Sequence, residues 1–510
     1  MTRLLQPSAS TRRHATADDE ALLATLNPSQ RDAVTTTDGP LLVLAGAGTG
    51  KTRVITTRIA YLVSLGVDPA SILAVTFTNK AAGEMRERVA QLAGERAKHI
   101  TVGTFHAFCA RVLREHGPAL GLPRKFTICD ASDQLSAVKS AMRELRVYET
   151  AMQPSAVLAR MSLAKNRMQT PESFLAQGSD SRAQLVGSVW QRYREFLTRT
   201  RSLDFDDLLL ETVRLLREHD EVRTHYRKRY RHILVDEYQD TNQPQYEIVK
   251  QIGGEHRNVC VVGDDDQSIY GWRGADIQKI LGFHRDFEGA KVVRLQTNYR
   301  STRQILNAAN TVIRKNTARH EKALESARGG GEPVRFARLK DEISEAQFVV
   351  EQMRKLLRLD EAKPQDFAIL CRTQVQFRPF EGELRANGLP YVVVGGMSFF
   401  DRKEVRDIVA FLKLSVNPRD ETSLLRIINT PSRGVGKASL DRVLKFATTT
   451  AFRPARPSSE RARSRACRRS RWRAMASCAP PWTARDWPRP DDSSSRASSA
   501  SWRRSPIETR

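Results

Sequence analysis

The stretch LLVLAGAGTGKT, residues 41–52, leaves less freedom than any other in this 510-residue chain. Leu41 to Ala45 form a short unbroken apolar run, the pattern of a parallel strand buried on both faces. It runs straight into a glycine-rich turn, after which RVITTRIAYLVSLG has helical spacing. A strand, a glycine-rich turn and a helix in that order make a phosphate cradle, because glycines let backbone N–H groups converge at a helix N-terminus. The P-loop pattern GxxxxGK[ST] is met except at its first position, which is Ala45. This places Ala45, Gly46, Ala47, Gly48, Thr49 and Gly50 around the phosphates of ATP. Lys51 would reach the β- and γ-phosphates, and the Thr52 hydroxyl would bind Mg²⁺.

A second buried-strand pattern, RHILVDEYQD at 231–240, ends in carboxylates. Adjacent acids at a strand end are costly unless a cation or a solvent opening uses them. Asp236 sits where it would hold the hydration shell of Mg²⁺. Glu237 is placed to orient and deprotonate an attacking water. Taken alone, the same residues would also suit an acidic turn capping a strand.

Composition narrows the partners. The chain carries a net charge of +25, of which +10 falls in residues 451–510. The first 450 residues remain basic enough to favour a polyanion, nucleic acid first. No apolar run approaches the ~18 residues of a spanning helix, so no membrane partner is expected. The N-terminus lacks the apolar core of a secretory signal. Six cysteines without a CxxC pair argue against a disulfide scaffold or a zinc site and fit a reducing cytoplasm.

Further blocks follow in order. They include LNPSQRDAV (26–34), AVTFTNKAAGEMRER (74–88), TVGTFHAFCARVLR (101–114), LDFDDLL (203–209), DEYQDTNQ (236–243), VCVVGDDDQSIYGWRGAD (259–276) and VVRLQTNYRST (292–302). Together with AGAGTGKTRV, they resemble the Rep/UvrD/PcrA type of superfamily 1 DNA helicase over residues 25–447. The resemblance implies that Gln30 reads the adenine edge, though a surface glutamine would look no different alone. It implies that Tyr299 stacks on adenine, that Arg53 lies near the same nucleotide, and that Arg300 is an arginine finger. Gln267 would sense the γ-phosphate and couple it to DNA. Thr76, Thr78, Asn79, Thr104, Phe105 and His106 would face single-stranded DNA, with core packing the alternative for Phe105 and the preferred reading for Phe108. Tyr270, Trp272 and Arg273 suit base stacking on a loop beside a cation.

The expected fold is α/β: a P-loop NTPase with tandem RecA-like parallel-sheet motor domains and helical inserted subdomains, the second motor domain incomplete. Expected divisions are a loose arm at 1–20, a first motor domain at 21–105 and 231–296, and a helical insert at 106–230. A second motor domain, first part only, would occupy 297–392, with FAILCRT (367–373) as one strand. An accessory helical subdomain would start at 393–448, with Phe399-Phe400 as a staple and a GVG turn (434–436) able to bind a backbone phosphate. Residues 451–510 contain no Leu or Val, and Arg, Ser, Ala and Pro supply 44 of the 60. Such a segment cannot offset its ordering entropy. The tail at 449–510 is expected to be disordered, and the abrupt change near Thr448–Ala451 is read as a reading-frame shift in a GC-rich gene. A basic nucleic-acid tail is the alternative.

The expected function is that of an ATP-dependent 3′–5′ DNA helicase or translocase acting on single-stranded and 3′-tailed duplex DNA, with unidentified repair or replication proteins as partners. For the 510-residue product the expectation is weak ATPase at best and no processive unwinding. The alternatives are a non-catalytic ATP- and DNA-binding fragment and a helicase–nuclease subunit. The latter would need a carboxylate-and-lysine nuclease site at the C-terminus.

Overall fold

Six strands pair side by side, all parallel, in a computed structural model that describes residues 17–148, 150–178, 180–394, 402–417, 420–436, 439 and 442. They are β1 (Leu41–Ala45), β2 (Ile72–Thr76), β3 (Thr101–Thr104), β4 (His232–Val235), β5 (Val259–Gly263) and β6 (Lys291–Leu295). Their order across the sheet is β3-β2-β4-β5-β1-β6. Leu42 lies opposite Val261 on one side and Val292 on the other.

Alternation along each strand sends neighbouring side chains to opposite faces. Leu42, Leu44, Leu73, Val75, Ile233, Val235 and Val261 enter one core cluster. Leu41, Val43, Ile72, Ala74, Leu234, Cys260 and Val262 enter another on the far face. Both faces are covered by helices, among them Lys51–Ser64 and Asn79–Ala93, which pack on each other, and Phe105–His116 and Phe205–Glu218, which do the same. This is why β1, β2, β4 and β5 read as continuous apolar runs, whereas the edge strands β3 and β6 are only partly buried. Because all six strands run the same way, their C-terminal ends share one edge, where ligands of open α/β sheets bind.

Within residues 106–230, a separate core runs from Cys129 to Leu197 and includes Val157, Met161, Trp190 and Tyr193. Its helices are Ala131–Glu144, Pro154–Asn166, Pro171–Gln177 and Ser181–Thr200. Asp130, Thr170 and Asp180 cap the starts of three of them through backbone N–H groups. At its base Lys165 is buried and donates to Asp204 and Asp207, each at 2.6 Å. Tyr193 OH also donates to Asp204.

The region after β6 differs. Thr297–Asn298 pairs with Glu325–Ser326, and the helices Arg303–Ile313, Glu342–Arg358 and Phe377–Ala386 follow. The FAILCRT stretch is not a strand: residues 367–371 have no ladder partner, and Leu370 is 89% exposed. An apolar run becomes a strand only where a neighbour accepts its backbone hydrogen bonds. A helix begins at Ala17, inside the expected arm. The helices Lys403–Val416 and Glu421–Ile427 belong to a second compact unit and are joined by an Arg426–Asp407 bond of 2.8 Å. Phe399-Phe400 and the 449–510 tail lie outside the described residues. Among the described residues, no helix is long and apolar enough to cross a membrane, and Cys109, Cys260 and Cys371 are free thiols.

Candidate nucleotide and DNA site

The P-loop leaves β1 and enters the Lys51–Ser64 helix through Gly48 and Gly50, with φ of 73° and 92°. Those angles are comfortable only for glycine. Thr49 closes the turn on itself, its Oγ1 donating to Gly46 O at 2.8 Å. Gln30 is 1% exposed. Its Nε2 donates to Thr49 O at 2.9 Å and its Oε1 accepts from Asn27 N. The side chain thus braces the loop from the Pro28–Thr35 helix.

Residues after β6 close over the same loop. Asn298 Nδ2 donates to Ala47 O at 2.5 Å, and Tyr299 N donates to Gly48 O at 2.9 Å. Asn298 Oδ1 accepts from Arg300 N and Ser301 N, which fixes the turn carrying Arg300. A Cβ on Gly48 would lie 2.7 Å from the Arg300 Cβ, so a larger residue there would push the two segments apart. Tyr299 presents an exposed ring, its OH accepting from Asn27 Nδ2 at 2.8 Å. Arg53 and Arg300 are exposed beside the loop.

Across the edge, Lys51 Nζ lies 2.7 Å from Glu237 Oε2. Glu237 holds a left-handed φ of 50°, a strained setting for a non-glycine residue of the kind that clusters at functional sites. Burial pushes the Asp236 carboxyl up to about 6, the Glu237 charge adds to the rise, and Lys51 opposes it. Burial and Glu237 raise Asp240 to about 6 in the same way. Asp240 Oδ1 is buried with no hydrogen-bond partner among the described residues. Two carboxyls held above their ordinary range, one with an unpartnered oxygen, fit a divalent cation, whose charge would reverse the shift. Of the two residues expected to hold such an ion, Asp236 is one of these raised carboxyls, and Thr52 follows Lys51 at the start of the Lys51–Ser64 helix.

Sequence reasoning missed the link between this centre and the next strand. Gln239 Nε2 donates to Glu237 Oε2 at 2.9 Å, and Gln239 Oε1 accepts from Asp264 N at 2.9 Å. Asp264 Oδ2 in turn accepts from Gln267 Nε2 at 2.5 Å. A hydrogen-bonded chain therefore runs Lys51–Glu237–Gln239–Asp264–Gln267, three residues short of Tyr270. No local signal marks a glutamine as a bridge, because its partners come from another strand.

The loop after Gln267 carries the aromatics. Trp272 is 65% exposed, with Arg273 over its ring at 4.9 Å. Tyr270 lies 6.2 Å from Trp272 and 5.2 Å from Phe77, which extends the line to the end of β2. Phe77 does not stand out in the sequence, although its place between Thr76 and Thr78 was the available signal. Thr78 and Thr104 cap the Asn79–Ala93 and Phe105–His116 helices, whose N-termini suit backbone phosphates. Burial lowers the His106 pKa, and Arg273 adds to the fall. Two candidates need correction. Phe105 is 4% exposed within the core and Thr76 is fully buried, so neither side chain reaches a surface ligand. Phe108 is also core, edge-on to Tyr226 and Tyr230.

Known proteins show the same organisation. Residues 26–288 match the UvrD/REP helicase N-terminal domain, and residues 293–453 match the UvrD-like helicase C-terminal domain. The chain is 45% identical over 428 residues to the ATP-dependent DNA helicase PcrA of Staphylococcus aureus strain Mu50, covering 84% of this chain and 58% of the relative. It is 44% identical over 428 residues to the same-named protein of Staphylococcus epidermidis strain ATCC 12228, with 84% and 59% covered. The chain thus spans under two thirds of the length of these curated relatives. The architecture is that of tandem RecA-like P-loop motor domains, and the chain belongs to the UvrD/Rep helicase family.

Proposed function

We propose that this chain is the ATP-hydrolysing and DNA-gripping part of a DNA helicase that translocates 3′ to 5′ on single-stranded DNA and takes 3′-tailed duplex as substrate. The polarity and the substrate form come from the family. ATP lies in the cradle of residues 45–52, with its base between Tyr299 and the Gln30 side of the site and with Arg53 alongside. Mg²⁺ on Thr52 and Asp236 supplies charge neutralisation at the phosphates when bound. Lys51 leaves Glu237 for the phosphates, which frees Glu237 to take a proton from the attacking water. Arg300 meets the charge that develops in the transition state. Bases stack along Phe77, Tyr270 and Trp272, and Arg273, Thr78, Asn79 and His106 line the strand's path. Stacking of this kind tolerates any sequence, as a repair or replication motor requires.

The observation that carries the reading is the chain of contacts from Lys51 through Gln239 to Gln267. It joins the phosphate cradle to the aromatic loop. The test is phosphate release by the purified chain with and without oligothymidylate, beside mant-ATP binding under the same conditions. Stimulation by DNA that Lys51→Ala abolishes is the expected result. Nucleotide and DNA binding that ignore each other would mark a non-catalytic binding fragment and defeat the proposal.

A further inference from the structure

The acidic triplet Asp264–Asp266 has a use that the phosphate chemistry does not explain. Three carboxylates in a row at a strand end repel one another. Here they are gathered by one short segment, residues 319–322, which follows the Arg303–Ile313 helix. Arg319 grips Asp266 with two parallel bonds, Nε to Oδ1 at 2.8 Å and a terminal nitrogen to Oδ2 at 2.7 Å. Lys322 Nζ lies 2.7 Å from Asp264 Oδ1 and 3.2 Å from Asp266 Oδ2, and it also bonds Asp265. The His320 backbone N–H donates to Asp265 Oδ2. Lys322 is buried, as are Asp264 and Asp265. A buried lysine ringed by three carboxylates is a fixed joint, because freeing either side would leave charge uncompensated.

The same segment continues to the P-loop. Leu324 packs against the P-loop so closely that a Cβ on Gly46 would lie 2.5 Å from its Cδ2. Ser326 Oγ donates to Ser301 O at 2.7 Å, and Arg328 donates to Arg300 O at 2.9 Å. One strap of about ten residues thus touches the Arg300 turn, the P-loop and the Asp264–Gln267 turn.

Resting on the motor reading above, we infer that Arg319 and Lys322 are positioning residues that tie the Arg300 turn to the turn bearing Gln267. A shift of Arg300 on nucleotide binding is thereby passed to the Tyr270–Trp272 loop. The strap is a second route between the two sites, parallel to the Gln239 chain. Neither residue belongs to the phosphate cradle or to the aromatic line, so each acts through Asp264–Asp266.

The experiment measures mant-ATP affinity with and without oligothymidylate, and oligothymidylate affinity with and without nucleotide, on the full chain. The two ratios must agree, since linkage is reciprocal. The parent is expected to show coupling of about 5-fold or more. Arg319→Ala and Lys322→Met are expected to bring it below about 2-fold while each separate affinity stays within about 2-fold of the parent. The exchanged pair Arg319→Asp with Asp266→Arg is expected to recover part of the coupling. Coupling preserved in both single variants overturns the inference. Loss of both separate affinities in both variants, unrelieved in Arg319→Lys, makes the joint merely structural and also overturns it. Absence of coupling in the parent instead defeats the motor reading.

Discussion

Two stretches of this chain carry the same kind of apolar run and meet opposite fates. In the first motor region, LLVLA, HILV and VCVVG are strands of one sheet, and their apolar side chains are buried. Beyond residue 330, Val334, Phe336, Leu370, Val392 and Val394 stand exposed, and Phe336 is 92% accessible. The local residue types are alike, and the neighbours differ. A buried parallel strand needs a paired strand on each side and a helix over each face. The first region has both, whereas the stretch at 367–371 has no paired strand among the described residues. Apolar pattern therefore proposes a strand, and the sheet around it decides. The chemistry follows the same divide: the cradle is built on the closed sheet, and the Asn298–Arg300 turn is the part of the later region held against it by the hydrogen bonds described.

The strongest challenge to this contrast is chemical. Glu237→Gln is expected to lower DNA-stimulated hydrolysis by about 10²–10⁴-fold while mant-ATP still binds; unchanged turnover would remove Glu237 from the mechanism. The contrast in packing is sharpened by paired truncations read by denaturant unfolding. Leu234→Ala in β4 should cost about 2–5 kcal/mol, whereas Leu370→Ala should stay within about 0.5 kcal/mol. Equal losses would mean that 367–371 is packed after all.

Next in size is the aromatic loop. Trp272→Ala should weaken oligothymidylate binding by about 1–3 kcal/mol, seen by fluorescence anisotropy, with Phe77→Ala moving in the same direction. Phe105→Ala should instead lower the melting midpoint, and a selective loss of DNA affinity there would restore it as a DNA contact.

A separate test concerns the base of the helical insert. Burial, followed by repulsion from Asp204, raises the Asp207 carboxyl to about 7. The folded state therefore holds a proton that the unfolded state releases near pH 4. This contribution is fully present below about pH 4 and is lost as pH rises through about 7. Thermal melts between pH 5 and 8 should show the parent losing more stability than Asp207→Asn. Parallel slopes in the two proteins would refute the assignment.

Much of the site was legible because its signals are local. The P-loop declares itself by a strand, glycines and a lysine within twelve residues, and Asp236–Glu237 by acids directly after an apolar run. Trp272 and Arg273 stood out as an aromatic and a cation in a glycine-flanked loop. Gln239, Asn298, Arg319 and Lys322 did not, since each is an ordinary polar residue until a partner 25 to 251 positions away in sequence arrives. Gln30 shows the reverse case. Its place before the P-loop suggested a nucleotide contact, and the fold commits its amide to Asn27 and Thr49.

The sequence by itself determined the parallel α/β class, the phosphate cradle and the acidic strand end, because period, glycine placement and charge act within a few residues. Only the tertiary structure decided which apolar runs became strands, whether Phe105 faced a core or a ligand, and how the cradle is wired to the aromatic loop. Those outcomes depend on backbone partners and charge neutralisation supplied from distant parts of the chain, which no short window of residues contains.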